Sequence, residues 1–125
     1  MSEKRIQQIE RRIARIKEAL SRIGPMRPGS LTRQYKDRKN ETGAYWQISY
    51  TRQMKSRTEY VRKEWVPEIR RQIATHKRFK RLIDQWLGLE IERSTLTMQM
   101  AEPERTRQAE NSGLSRVNSV VRNAG

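Results

Sequence analysis

The sequence predicts an α+β fold: two long helices flanking a small two- or three-stranded antiparallel sheet, followed by a polar C-terminal tail. Three observations carry this expectation. Isoleucine and leucine recur at heptad spacing near the start, aromatic and β-branched residues alternate in the middle, and a broad apolar stripe of helical period follows. The boundaries read as a heptad helix over 1–24, a basic hairpin or meander over 25–66, a basic amphipathic helix over 67–100 and a flexible tail over 101–125.

The first helix rests on Ile6, Ile9, Ile13, Ile16, Leu20 and Ile23, a 3-4 repeat with Arg, Lys, Glu and Gln between them. These six are the expected helix-packing residues. The stripe packs either antiparallel on a helix of the same chain or in an intermolecular coiled coil. Gly24-Pro25 stops the helix, because glycine favours the C-terminal position and proline cannot continue the ladder. Residues 24–30 are turn chemistry. Leu31 to Lys36 reads as a short strand, Ala44 to Thr51 as a strand and Ser56 to Val61 as its return. Period two puts Trp46, Ile48 and Tyr50 on one face, to pack under the sheet, and leaves Tyr45 and Tyr60 on other, exposed faces.

The second helix begins near Pro67, a residue favoured at a helix start. Its stripe comprises Ile69, Ile73, Phe79, Leu82, Ile83, Trp86, Leu87 and Ile91, with His76 at the edge. It should end near Met100, since Glu102-Pro103 interrupts the pattern. Beyond it, Leu114, Val117, Val120 and Val121 make at most one short amphipathic helix in a mobile tail.

Charge narrows the function. The 125 residues carry 28 Lys and Arg against 14 Asp and Glu, a net +14. The excess is +4 over 1–26, +11 over 27–81 and −1 over 82–125. Charge serving solubility alone has no reason to stop at Arg81, whereas a basic middle is the footprint of a polyanion contact. The expected nucleic-acid contacts are Arg27, Arg33, Lys36, Arg38 and Lys39, then Arg52, Lys55, Arg57, Arg62 and Lys63 on and after the hairpin. Arg70, Arg71, Lys77, Arg78, Lys80 and Arg81 follow on the helix, where they share broadly one side. Tyr45 and Tyr60 are the expected aromatic contacts. Apolar residues make up 34 %, below the roughly 45–50 % of an ordinary domain, so the core is thin and self-association or a partner completes it.

Other classes find little support. Without cysteine there is no disulfide framework and no Cys-based zinc site, and the lone His76 is a poor metal ligand. No glycine loop cradles phosphate, and no Ser/His/Asp set is spaced for catalysis. Asp37-Arg38-Lys39 is a faint echo of a nuclease half-motif that lacks its second carboxylate. The expectation is therefore no enzyme, no cofactor and no metal. The N-terminus lacks a secretory h-region and no stretch is apolar enough to cross a bilayer, so a cytoplasmic protein without membrane association is expected.

Gly24-Pro25-Met26-Arg27-Pro28-Gly29-Ser30-Leu31, Arg33-Gln34-Tyr35, Gly43-Ala44-Tyr45-Trp46 with Ile48-Ser49, and Lys77-Arg78-Phe79 carry a resemblance. From Ile23 to about Ile91 the chain resembles a family of small uncharacterised bacterial and archaeal proteins, some encoded within transposons. Many members have a Cys-rich cluster where this chain has Lys36 to Trp46, so no metal knot carries over. The resemblance implies an accessory role around mobile DNA, with a mobile-element protein as a partner. Two functions follow from the sequence. One is a nucleic-acid-binding accessory protein, for DNA or RNA; the other is an oligomeric adaptor that docks on an acidic protein.

Overall fold

The computed structural model describes the backbone of residues 2–112 and the side chains of residues 2–101. The chain is α+β, with element order α1 (Ser2–Ser21), β1 (Ser30–Asp37), β2 (Thr42–Arg52), β3 (Lys55–Val61), a 3-10 turn (Lys63–Trp65) and α2 (Val66–Ser112). The described residues divide into two compact units, one of residues 2–16 with 85–112 and one of residues 17–84. The expected tail residues 113–125, with Leu114, Val117, Val120 and Val121, lie outside the described residues.

In the first unit the heptad stripe is covered within the chain. Ile9 is wholly buried, Ile13 and Ile16 nearly so, and Leu89 of α2 is buried with them. Ile6 is half-buried. Glu3, Ile6, Gln7 and Glu10 line one cleft with Thr97, Met100 and Ala101. Arg5 donates to both carboxylate oxygens of Glu92, from Nε at 2.7 Å and Nη2 at 2.9 Å. Early α1 thus lies beside late α2, an antiparallel intrachain pair.

Two expectations for α2 are corrected. Ile83, Leu87 and Ile91 are exposed, whereas Leu89 is buried and Leu82, Trp86 and Leu96 are half-buried. Steps of four residues drift about 40° around a helix, so 83, 87 and 91 walk off a face that the 3-4 alternation of 82, 86, 89, 93 and 96 follows. The helix also continues through Pro103 to Ser112 instead of stopping near Met100. One proline deletes a single ladder bond, and strong helix formers (Met100, Ala101, Glu102, Glu104, Arg105) flank it.

The second unit holds the sheet. Its strands run in the order β1-β2-β3, a meander, both pairs antiparallel. Leu31 pairs with Ile48 and Ile48 with Glu59, while Trp46 pairs with Arg33 and Val61. Cross-strand partners share a face, so Leu31, Arg33, Trp46, Ile48, Tyr50, Arg57, Glu59 and Val61 are on one side. Ile48, Val61 and Val66 are buried there, with Leu31, Trp46, Ile69 and Ile73 packed against them. Full burial of a side chain such as Ile48 contributes roughly 2–3 kcal/mol. The opposite face is mainly polar: Thr32, Gln34, Lys36, Gln47, Ser49 and Thr58, with Tyr45 and Tyr60.

α1 ends at Ser21, slightly before Gly24, in a tightened last turn where the amides of Arg22 and Ile23 donate to the carbonyls of Ala19 and Leu20. Leu20 and Ile23 remain half-buried. The turn that follows is tied to α2, the Arg27 amide donating to the Gln72 carbonyl at 3.2 Å. Gly29 has φ 134°, and a β-carbon there would stand 2.8 Å from Ile48 Cγ1 and 2.9 Å from the Ser49 carbonyl oxygen. Only glycine fits so close to β2.

The β2–β3 connection is two residues, Gln53 and Met54, with φ of 53° and 65°. Positive φ at both central positions is the pattern of a type I′ turn, which Asn-Gly makes most readily. Holding ordinary L-residues there costs roughly 1–2 kcal/mol each, and Gln-Met accepts that cost twice.

Candidate nucleic-acid interface

β1 last pairs with β2 at Ser30–Ser49, so beyond Ser49 the β2–β3 hairpin continues as a two-stranded arm. Every residue from 51 to 60 is exposed. From Ile48 to Arg52 the arm extends about 14 Å, at about 3.4 Å per residue. Tyr50 pairs with Arg57 and Arg52 with Lys55, and both pairs lie on the face that carries Ile48. The arm's three cations therefore share one face. Thr51, Ser56 and Thr58 occupy the other.

α2 brings further cations to the same side. Measured from Ile73, which packs on the sheet, Lys77 and Lys80 lie within about 40° around the helix, and Arg70 and Arg81 within about 80°. Arg71 and Arg78 lie about 140–160° away, so the helix charges do not share one side as the sequence suggested. The separation follows from geometry: consecutive residues diverge by about 100°, and an Arg-Arg or Lys-Arg pair must split.

Lys77 and Lys80 stand at a groove of about 370 Å³. Its other walls are Pro28, Gly29 and Ser30, residues Ser49, Tyr50 and Thr51 of β2, and Ile73 and His76 of α2. The lining holds two lysines and no carboxylate. His76 is half-buried and stacked on Phe79 with ring centroids 6.5 Å apart, a helix-face residue as expected. Among the described residues no group of three His, Cys, Asp or Glu is placed to hold a metal ion.

Several expected contacts work inside the fold. Arg27 donates from Nη2 to Glu59 at 2.9 Å, and its guanidinium lies 5.2 Å from the Tyr50 ring centroid. The Tyr50 hydroxyl donates to the other Glu59 oxygen at 3.1 Å. Hydrogen bonds from Arg27 and then Tyr50 hold the Glu59 carboxyl below its usual range against the opposing effect of burial, and the charges of Arg27 and Arg57 add to them. With its side chain only 25 % exposed, Arg27 is a structural cation that neutralises the Glu59 carboxylate. Arg33 stacks on Tyr35 at 5.5 Å and Arg70 on Trp46 at 5.2 Å, and both remain exposed. The rings on the basic face are thus covered by the protein's own guanidinium groups. Only the Arg33–Tyr35 pair, two residues apart on one strand, has a local sequence signal; Arg27 comes from the turn before β1 and Arg70 from α2.

The remaining residues are dispersed. Lys36, Arg38 and Lys39 sit at the β1–β2 turn, the opposite end of the meander, separated from Arg52 by the length of β2, about 34 Å. Asp37 organises that turn: its carboxylate accepts from the amides of Lys39 and Asn40 at 3.1 and 3.2 Å and from Asn40 Nδ2 at 2.9 Å. Arg62 and Lys63 lie exposed between β3 and α2, and Arg71 pairs with Glu68 at 3.0 Å. Tyr45 is half-buried, in contrast to its expected exposure, because Gln34 of β1 pairs beside it. Tyr60 is 71 % exposed on the opposite face, away from the arm's cations. No helix among the described residues is long and apolar enough to cross a membrane.

Residues 6–71 match the model of a family described as a domain of unknown function (DUF6788). The match takes in most of α1, the whole sheet and the start of α2, and stops before Lys77-Arg78-Phe79. No curated protein and no solved structure matches the chain.

Proposed function

The chain belongs to this family of domains of unknown function, and from its basic arm and groove we propose that the protein holds the phosphate backbone of a nucleic acid. One observation carries the reading. Arg52, Lys55 and Arg57 share one face of the arm, Lys77 and Lys80 stand at the groove beside its base, and no carboxylate lines that groove. Like charges on neighbouring elements repel, and phosphodiesters relieve the repulsion while releasing their condensed counterions. Lysine and arginine donate to the phosphate oxygens. The work is positioning, and no bond is made or broken.

Duplex is favoured over single strands. Unpaired bases bind by stacking on open aromatic faces, but Tyr50, Tyr35 and Trp46 are already covered by Arg27, Arg33 and Arg70. A two-stranded arm also fits a duplex groove. The resemblance to transposon-encoded proteins supports an accessory role on mobile DNA in the cytoplasm. A second reading, an adaptor for a protein partner or a further copy of the chain, draws on Leu87, Ile91 and Met98, three exposed apolar side chains spaced four and seven residues apart along α2.

Protein freed of polynucleotide is titrated against duplex DNA, single-stranded DNA and structured RNA at two salt levels. Binding that weakens steeply with salt, tightest on duplex, is the expected result. No attraction to any oligonucleotide in dilute buffer refutes the proposal. A tight homo-oligomer that ignores all three favours the adaptor.

A further inference from the structure

The tip of the arm is the least economical part of the chain. Met54 is 98 % exposed, the most exposed of the large apolar side chains, and sits at positive φ in a turn where glycine is easier. It packs on nothing, so neither folding nor solubility gains from it. Arg52 and Lys55 flank the turn directly, and Arg57 follows on the same face. The arm thus presents an apolar, unbranched and polarisable side chain about 14 Å beyond the last buried residue, behind which cations are set to grip backbone on either side.

We propose that Met54 is a wedge that enters a base-pair step of duplex DNA from the minor groove and bends the helix. Apolar side chains used this way unstack one step, and the bend lets more phosphate reach the protein. The proposal rests on the backbone-binding reading and adds the bend to it. It selects flexible steps such as TA over stiff A-tracts, because the cost of unstacking depends on the sequence being deformed.

The test uses the full chain and a duplex of about 25 base pairs with a central TA step, labelled at its ends with a donor and an acceptor dye. Wild type should raise energy transfer, reporting a bend of tens of degrees, while Met54→Leu should keep most of it. Met54→Gly and Met54→Ser should lose the bend, bind within about tenfold of wild type, and keep its salt slope. Met54→Gly should melt no lower than wild type, since glycine relieves the turn, so loss of bending cannot be ascribed to unfolding. Wild type that binds without bending, or a Met54→Gly protein that bends as well as wild type, overturns the wedge and leaves backbone binding standing. Wild type that fails to bind duplex in dilute buffer overturns both.

Discussion

Removing Lys77 and Lys80 together tests the assignment of the basic face. Both stand at the carboxylate-free groove beside the arm, and both are exposed. With Arg52, Lys55 and Arg57 they make five cations available to a duplex backbone. Each neutralised phosphate adds about 0.9 to the log–log dependence of affinity on salt, so five give a slope near −4.5 and three a slope near −2.7. Between about 50 and 200 mM salt, wild-type affinity should fall about 500-fold and that of the Lys77→Ala/Lys80→Ala protein about 40-fold. Fluorescence anisotropy of a labelled duplex across that salt range reads both slopes. Arg71→Ala/Arg78→Ala is the matched control: it removes the same charge from the same helix, on the far side from the sheet. Equal slopes for the two double variants would mean that net charge, and not this face, attracts the polyanion, and the assignment would fail.

Four further outcomes follow from the fold. Ile48→Ala, at the fully buried centre of the sheet core, should cost roughly 2–5 kcal/mol in denaturant unfolding, and a loss below about 1 kcal/mol would contradict the packing. Gly29→Ala should destabilise by about 1 kcal/mol or more, because its β-carbon meets Ile48 and the Ser49 carbonyl; an unchanged midpoint would show that the turn does not pass so close to β2. Met54→Gly should stabilise by about 1 kcal/mol through the left-handed turn, and a lower melting temperature would contradict the turn geometry. Glu59, Glu68 and Glu92 have carboxyls held below their usual range, by hydrogen bonds chiefly from Arg27, Gln72 and Arg5 respectively. A lowered folded value means that their stabilisation is fully present above the unfolded carboxyl value of about 4.3 and fades as pH falls through the folded ones. Melting temperature should therefore drop on acidification below that value, less so in Glu59→Gln and Glu92→Gln, and an equal acid slope in the variants would rule out these pairs as its source.

Local pattern alone was enough for the elements. Heptad isoleucines, strand alternation from Ala44 to Thr51 and turn chemistry at Gly24 to Ser30 announce α1, β2 and the link to β1, because backbone periods of 3.6 and 2 print directly on the order of apolar residues. The basic middle of the chain is likewise a property of composition. Which cations act together was not legible there, since charge carries no period that a fold must respect. Cross-strand register turned Arg52, Lys55 and Arg57 to one face of the arm, helical rotation parted Lys77 from Arg78, and the meander carried Lys36, Arg38 and Lys39 to its far end. Arg27 left the proposed binding set for the same reason. A carboxylate 32 residues away, Glu59, came within hydrogen-bonding distance only when β3 closed on β2. The residues and their periods belong to the sequence; which of them are neighbours was decided by strand pairing and helix rotation, long-range geometry that no local pattern contains.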